Sequence, residues 1–170
     1  DPGLSSYLKF RAAWRGRLQN SELIDQQLSV SMFFASPLIA GAFRLVTRGV
    51  LTARYNDMTN TFLSAGGDSG LRGFDVGVFR GQRRVVGNVE IRSAPLSLWF
   101  LRLGGVVYWD AGHAANEFQA LRLHQNVGFG LRLLIPQINP YVIRVDWAFP
   151  ITDGFSAWPG RVSFGFKQVF

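Results

Sequence analysis

Apolar and polar residues alternate with a period of two over long stretches of this chain, and this alternation limits the fold more than any other feature. In YVIRVDWAF, residues 141–149, the odd positions are apolar or aromatic, whereas Arg144 lies on the opposite parity. In RVSFGFKQVF, residues 161–170, Phe164 and Phe166 share the apolar parity. Successive side chains of a β-strand point to opposite faces of a sheet. The pattern therefore predicts an all-β protein with one apolar and one polar sheet face.

Eight strands are predicted, separated by turn signals such as PQINP and TDGFSAWPG. They cover residues 5–18, 24–36, 41–55, 84–97, 100–112, 123–135, 140–151 and 161–170. Each is longer than the roughly 5–6 residues usual in soluble proteins, and each is long enough for the roughly 9–11 residues of a tilted strand that crosses a bilayer. Aromatic residues near the strand ends resemble the interfacial girdles of membrane barrels. These aromatic residues are Trp99, Phe100, Tyr108, Trp109, Trp147, Phe149, Trp158 and Phe170. We therefore predict antiparallel transmembrane strands, with a soluble β-sandwich as the alternative.

Basic residues dominate the polar face, in a chain with 18 Lys and Arg, 11 Asp and Glu, and a net charge of +7. The cations with polar parity are Lys9, Arg11, Arg15, Arg17, Arg44, Arg48, Arg54, Arg92, Arg102, Arg132, Arg144 and Lys167. Burying so many unpaired cations would cost several kcal/mol per ion, so this face is expected to meet water. It would form either the outside of a sandwich or the lumen of a barrel.

The width of the lumen limits the number of strands. A closed barrel of about eight strands has an interior just wide enough for side chains to fill. Because the polar face carries so many cations and a long connection follows the third strand, eight strands are too few to enclose both. We expect half of a sixteen-stranded barrel, or an assembly of half-barrels.

Three motifs follow one another from the third strand onwards. GGDSGLRGF, residues 66–74, lies in the connection 56–83; GNVEIRSAPL begins at residue 87, and VVYWDAGHA begins at residue 106. Together they resemble the inward loop, the Glu-x-Arg strand and the aromatic-x-Asp-x-Gly strand of the BamA, TamA and FhaC superfamily of outer-membrane assembly and secretion barrels. The resemblance covers essentially all 170 residues, as the C-terminal eight strands of a sixteen-stranded family barrel.

The resemblance implies that the loop folds into the lumen and that Arg72 docks on acids of the barrel wall. Glu90 and Asp110 both have lumenal parity, which makes them the expected partners. A guanidinium carries five donors in a fixed fork that suits carboxylates, a geometry that lysine lacks. The remaining loop residues would provide tight turns, close approach and an apolar anchor. These are Gly66, Gly67, Leu71, Gly73 and Phe74. The alternative is that Arg72 is an ordinary exposed loop residue.

The last strand resembles the C-terminal signal of outer-membrane proteins. Phe164, Gly165, Phe166 and Phe170 fit that signal, whereas Gln168 stands where an aromatic residue is usual. In the superfamily, closure between the first and last strands is weak. A client strand could therefore pair with the edge of residues 161–170 by β-augmentation.

Catalytic, metal and nucleic-acid sites are not expected. His113 and His124 lack metal-ligand spacing, and the glycine-rich loop lacks the Lys-Ser/Thr of a phosphate-binding loop. The arginines are spread along strand faces and are not interleaved with a stacking platform for bases. We therefore expect a protein without enzymatic activity, cofactor or metal.

The expected location is the outer membrane of a Gram-negative type of cell. Residues 1–170 form one barrel region, without the periplasmic POTRA modules that recruit clients in the superfamily. The expected partners are the lipid bilayer, a client or secreted polypeptide, and a second chain or second copy that completes the barrel. Three functions stay open: insertion of β-barrel proteins, polypeptide secretion, and a structural half-barrel that oligomerises.

Overall fold

The computed structural model describes residues 5–135, 139–152, 154 and 158–166. Its strands are β1 (Tyr7–Gln19), β2 (Glu22–Ala35), β3 (Phe43–Tyr55), β4 (Leu63–Ser64), β5 (Arg80–Gly81), β6 (Arg83–Ser93), β7 (Leu96–Leu98), β8 (Leu101–Ala115), β9 (His124–Ile135), β10 (Asn139–Pro150) and β11 (Arg161–Phe166). Two single-turn 3-10 helices, Gly67–Ser69 and Phe118–Ala120, interrupt the connections. None of the helices in these residues is long and apolar enough to span a membrane.

One antiparallel sheet contains nine of the strands. Its order is β1-β2-β3-β6-β8-β9-β10-β11, with β7 paired to β8. The prediction of an all-β, antiparallel fold is therefore confirmed. Over the described residues β1 and β11 are the two edges of an open sheet and do not pair with each other, so the strands do not close into a barrel.

The described residues form eleven strands where eight were predicted, and the predicted fourth strand is divided in two. Pairing of β6 ends at Ser93, and the chain then turns through Pro95, which has no N–H to donate to a ladder. Residues 96–98 fold back onto β8 as the short strand β7. The long connection between β3 and β6 also contains two short strands, β4 and β5, which pair with each other.

The register of the long strands aligns polar residues in rows across the sheet. Asn88, Asp110 and Asn126 are directly paired neighbours on β6, β8 and β9. Glu90 and Tyr108 are paired in the adjacent row with the same parity. We call the face that bears these residues the inner face, because the connection between β3 and β6 packs against it, and the opposite face the outer face.

The burial of the two faces is the reverse of that in an ordinary soluble sheet. Asp146 on the inner face of β10 is fully buried, whereas Phe164 on the outer face of β11 is 73% exposed. Other large apolar residues of the outer face are also exposed, among them Phe10, Trp14, Ile91, Val107, Phe129 and Leu131. No second sheet packs on the outer face within the described ranges, as a sandwich would require.

The expectation that the whole polar face meets water was wrong for its central strands. The connection between β3 and β6 packs on the inner face there, and several of the cations on this face are paired with acids. Arg92 contacts Glu90 at 2.6 Å, and Arg132 contacts Asp146 at 2.7 Å. Since pairing offsets the cost of removing a charge from water, this part of the face can be buried.

Candidate functional site: the inward loop and its arginine

Backbone hydrogen bonds give the GGDSGLRGF loop a compact shape of its own. The N–H of Gly67 donates to the carbonyls of Leu71 and Phe74, both at 2.9 Å, and the N–H of Leu71 donates to Ala65 at 2.9 Å. Gly67 has a φ of +63° and Gly70 a φ of +139°. Both values lie in the region that favours glycine, so the turn depends on these residues.

Two further glycines let the loop backbone approach its neighbours closely. A Cβ atom on Gly73 would lie 2.7 Å from the Cβ of Asn126 on β9. A Cβ on Gly66 would lie 2.0 Å from the carbonyl oxygen of Asp75. A larger residue at position 73 would push the loop away from the inner face, and one at position 66 would distort the loop itself.

Leu71 and Phe74 anchor the loop by apolar packing. Both are buried, in a cluster with Ala65, Phe79 and Val86. Because Val86 belongs to the inner face of β6, the cluster attaches the loop to the sheet as well as to itself. Arg72 lies between these two anchors in the sequence, so its backbone is fixed and its side chain points to the inner face of the sheet.

Arg72 is almost completely buried, at 1% exposure, and it contacts two carboxylates. Its Nε and Nη2 atoms donate to the two oxygens of Asp110 at 2.9 and 2.7 Å, and its Nη1 atom donates to Glu90 at 2.5 Å. These are the two acids named from parity. Arg72 is therefore not an exposed loop residue. The fork on Asp110 is the bidentate arrangement in which charge-assisted bonds are strongest.

Asp110 is also held by two asparagines of its own row. Asn88 donates to one of its oxygens at 2.8 Å, and Asn126 donates to the other at 2.9 Å. The second amide hydrogen of Asn88 reaches the carbonyl of Gly70 at 2.7 Å, so the same side chain also holds the loop. Both oxygens of the buried carboxylate are thus occupied before any water is considered.

Glu90 divides its two oxygens between two arginines. One accepts from Arg72, and the other accepts from Nε of Arg92 at 2.7 Å. The cluster therefore contains two cations and two anions. Balanced pairing of this kind is what makes buried charges tolerable, since an unpaired one is costly.

The ring of Tyr108 lies beneath the guanidinium of Arg72. The Cζ atom of Arg72 is 3.4 Å from the ring centroid, a cation–π contact in a desolvated setting. The ring can occupy this place because residue 128 is glycine: a Cβ there would lie 2.5 Å from the Tyr108 ring. Tyr108 is buried on the inner face, so its assignment to an interfacial girdle was wrong.

The ionisation of Arg72 follows from this environment. Burial by itself would lower the pKa of Arg72. The hydrogen bonds and the charge of Asp110, and then the charge of Glu90, outweigh burial and raise the pKa above its usual value. The guanidinium therefore stays charged at every accessible pH.

Three more contacts tie the loop to the last two strands. Arg144 on β10 pairs with Asp68 at 2.7 Å. Arg161 on β11 donates to the carbonyl of Arg72 at 3.1 Å and lies 3.5 Å from Asp75. The loop is thus connected to the edge of the sheet as well as to its centre.

The predicted seam residues do not join the Arg72 cluster. Phe164 and Phe166 are exposed on the outer face of β11, and Phe170 lies outside the described residues. Gly165 faces Arg144, whose Nε atom would be 2.6 Å from a Cβ at that position. Glycine here therefore leaves room for the arginine that holds Asp68.

His113 and His124 belong to an aromatic cluster at the end of the sheet. The ring of Phe79 stacks on His124 at 4.4 Å and meets His113 edge-on at 5.0 Å. No group of three potential metal ligands occurs among the residues that the structure describes.

Asn88, Asn126, Tyr108 and Gly128 were missed as members of the site. Tyr108 could have been found, because it shares the even parity of Asp110 two positions away. The same holds for Asn88, two positions from Glu90, whereas Asn126 and Gly128 on β9 carry no such signal, since their places follow from the register between strands.

Comparison with known proteins adds no relative. No family model matches the chain, and no curated protein matches it. Over the described residues, the fold and site define an open antiparallel β-sheet whose inner face is charged, and is buried at its central strands beneath a loop that Arg72 holds.

Proposed function

We propose that this chain is the C-terminal half of an outer-membrane barrel of the BamA, TamA and FhaC type. In this proposal it inserts β-barrel proteins into the outer membrane through a lateral strand seam, with the inward loop held by Arg72. The observation that carries the proposal is the combination of an exposed apolar outer face with a loop arginine buried on two acids of the inner face. The motifs that carry the family resemblance are the segments that meet in this cluster.

The exposed outer face supports a lipid environment. Large contiguous apolar surfaces are uncommon on soluble monomers, and they mark contact with protein or membrane. Phe129 and Leu131 are 50% and 54% exposed on β9, next to Val107 on β8. In hydrocarbon these side chains need no further cover, whereas in water each would be unfavourable by about 25 cal/mol per Å².

The two open edges support pairing with other strands. A sheet edge presents unpaired N–H and C=O groups, and such groups are not tolerated within the hydrocarbon of a bilayer. β11 is the edge at which a client strand would add, because its unpaired backbone groups form the proposed seam. A second chain or a second copy would supply the remaining strands, which is the half-barrel alternative.

One observation favours a secretion pore as the second candidate. The cations of β1 are exposed, and the loop tethers described above reach β6, β8, β10 and β11. Exposed cations around a lumen would line the path of a translocated polypeptide.

Membrane insertion is tested with a charge placed on either face. Purified chain is refolded into liposomes, and the inserted fraction is measured by flotation. The substitution Phe129→Arg on the outer face is expected to reduce insertion strongly, because arginine at the bilayer midplane costs about 2–4 kcal/mol. Ala13→Arg adds the same charge to the inner face of β1 and is expected to insert like wild type. A wild-type chain that stays monomeric and folded in buffer without lipid would refute the proposal.

Insertase activity is tested separately. The folding rate of a denatured outer-membrane client into liposomes is compared with and without the inserted chain. Acceleration that is lost when Gly165→Pro disrupts β11 supports the seam. Translocation of a polypeptide into the liposome lumen, without client folding, would favour the secretion pore instead.

A further inference from the structure

The first strand has a charge pattern that its neighbours do not complement. β1 is an edge strand, and each of its residues is exposed. Register with β2 places Lys9 opposite Phe33 and Arg11 opposite Ser31, both on the inner face. The outer face of the same strand is apolar, with Leu8, Phe10 and Trp14.

The acids that could pair with this row are scarce. Arg17 pairs with Asp25 at 2.9 Å at the end of the strand, and Arg15 bonds the amide oxygen of Gln27 at 2.6 Å. Neither Lys9 nor Arg11 has a carboxylate partner within the described part of the chain. The carboxylates of the inner face, such as Asp110 and Asp146, lie on β8 and β10, where arginines already hold them.

We propose that the free edge of β1 is completed by a strand of a partner polypeptide that carries carboxylates at its inward-facing positions. This inference rests on the proposed function, because it concerns the strand that completes the same barrel. The partner strand runs antiparallel to β1 and donates to and accepts from its unpaired backbone groups. Its acidic positions lie opposite Lys9, Arg11 and Arg15, and its alternate positions are apolar to match the outer face.

Cross-strand geometry makes this charge pattern selective. Side chains directly opposite each other in an antiparallel pair have Cβ atoms about 4.5–5.5 Å apart, so opposite charges attract and like charges repel. The three cations at positions 9, 11 and 15 share one parity, so they face three positions on the same side of the incoming strand. A strand shifted by one residue would place its acids on the outer face, so the row also selects the register.

A second copy of this chain is a poorer occupant for the same reason. The copy would present β11, because that is its other free edge. The inner positions of β11 are Arg161, Ser163 and Gly165, with no carboxylate among them. Arg161 would bring a like charge to the cationic row, and it already serves Asp75 and the carbonyl of Arg72.

The absence of cysteine from the sequence permits a clean cross-linking experiment. Full-length chain carrying Ala13→Cys, on the inner face of β1, is refolded in detergent micelles. It is mixed with one of two nine-residue peptides that alternate valine with either glutamate or lysine and carry a central cysteine at an inward position. We expect the disulfide yield to be about tenfold higher with the glutamate peptide, the size reached if two or three charge pairs act together.

Three further arms decide the outcome. Ala12→Cys on the outer face is expected to give little cross-link with either peptide. The variant Lys9→Glu with Arg11→Glu is expected to reverse the preference, and Lys9→Gln with Arg11→Gln to reduce it to the contribution of Arg15 alone. Resistance of the 56–82 connection to protease shows that each variant is folded. Equal yields with both peptides, or a preference that survives charge reversal, would overturn the proposal.

Two further measurements separate this inference from a second copy as the occupant and from the proposed function. The double variant Ala13→Cys with Ser163→Cys tests the second copy. If it forms disulfide-linked dimers in preference to cross-links with the glutamate peptide, the second copy is the occupant and the inference is overturned. Peptide pairing in micelles needs neither insertion into liposomes nor a client. Loss of insertase activity with peptide pairing intact would therefore count against the proposed function alone.

Discussion

The guanidinium of Arg72 lies over the ring of Tyr108, with its Cζ atom 3.4 Å from the ring centroid, while its N–H groups donate to acids on the inner face of the sheet. The ring closes one face of the guanidinium, and Asp110 and Glu90 take its edge. The guanidinium is thus held by the ring on one face and by two carboxylates along its edge. The loop is therefore attached to the sheet at a single rigid point with several weaker tethers around it.

Removing the guanidinium should release the loop. We expect Arg72→Ala to lower the free energy of unfolding by about 3–5 kcal/mol, because Asp110 is left buried without a cation and Glu90 keeps only Arg92. Arg72→Lys should lose less than alanine but should not restore the wild type, since an ammonium group cannot form the fork. Urea unfolding in detergent and protease cleavage within residues 56–82 measure both effects. Arg80→Ala, an exposed arginine of the same connection, is the control, and an equal loss there would contradict the prediction.

The two acids should not be equivalent. Asp110→Asn should destabilise the protein more than Glu90→Gln, because Asp110 accepts both bonds of the fork and both asparagines, whereas Glu90 shares its charge with Arg92. Combined with Arg72→Ala, the Asp110→Asn effect should be far from additive, with a coupling energy of about 0.5–3 kcal/mol. Equilibrium unfolding of the two single variants and the double variant gives this value. Additive effects would show that the contact carries no energy.

The place of Tyr108 should depend on the glycine beneath it. Gly128→Ala should cost about 1–3 kcal/mol by overpacking, since its Cβ would lie 2.5 Å from the Tyr108 ring and 2.4 Å from the carbonyl oxygen of Trp147. It should also raise protease cleavage of the loop, because a displaced ring no longer supports Arg72. Gly49→Ala is the matched control, with no atom within 4 Å of the added Cβ. Similar losses for both variants would mean that only the flexibility of glycine matters.

Acid should open the turn that follows β3. Thr59 donates to the Asp57 carboxylate from its hydroxyl at 2.6 Å and its N–H at 3.1 Å. The Thr59 side-chain bond is the largest cause that lowers the pKa of Asp57, and it outweighs the opposing effect of burial. A lowered pKa stabilises the turn above the unfolded value of about 3.9, and the contribution is lost as the pH falls through the folded value.

The amide chemical shifts of Thr59 and Thr61 between about pH 6 and pH 2 follow this transition. In Asp57→Asn the shifts should not titrate, because the residue has no ionisable group. A wild-type titration that persists in this variant would assign the effect to another carboxylate.

Strand periodicity accounts for how much could be predicted. Parity is a local property of an extended chain, so residues of one strand can be assigned to a face without knowledge of their neighbours. It placed Glu90 and Asp110 on the face that Arg72 reaches, and it separated Phe164 from Ser163. Parity also placed Tyr108 on this face, but its aromatic character led to its assignment to an interfacial girdle.

The amino-acid sequence by itself determined the all-β class, the approximate spans of most long strands and the two faces, because these depend on spacing along one strand. Only the tertiary structure decided the row of Asn88, Asp110 and Asn126, the space that Gly128 leaves and the open edges of the sheet. Those features depend on the register between strands distant in sequence, which no single strand encodes. The loop motif lies between these cases. Its glycines predicted a tight turn with close backbone contacts, but the residues of the sheet that the loop approaches could not be predicted from the motif.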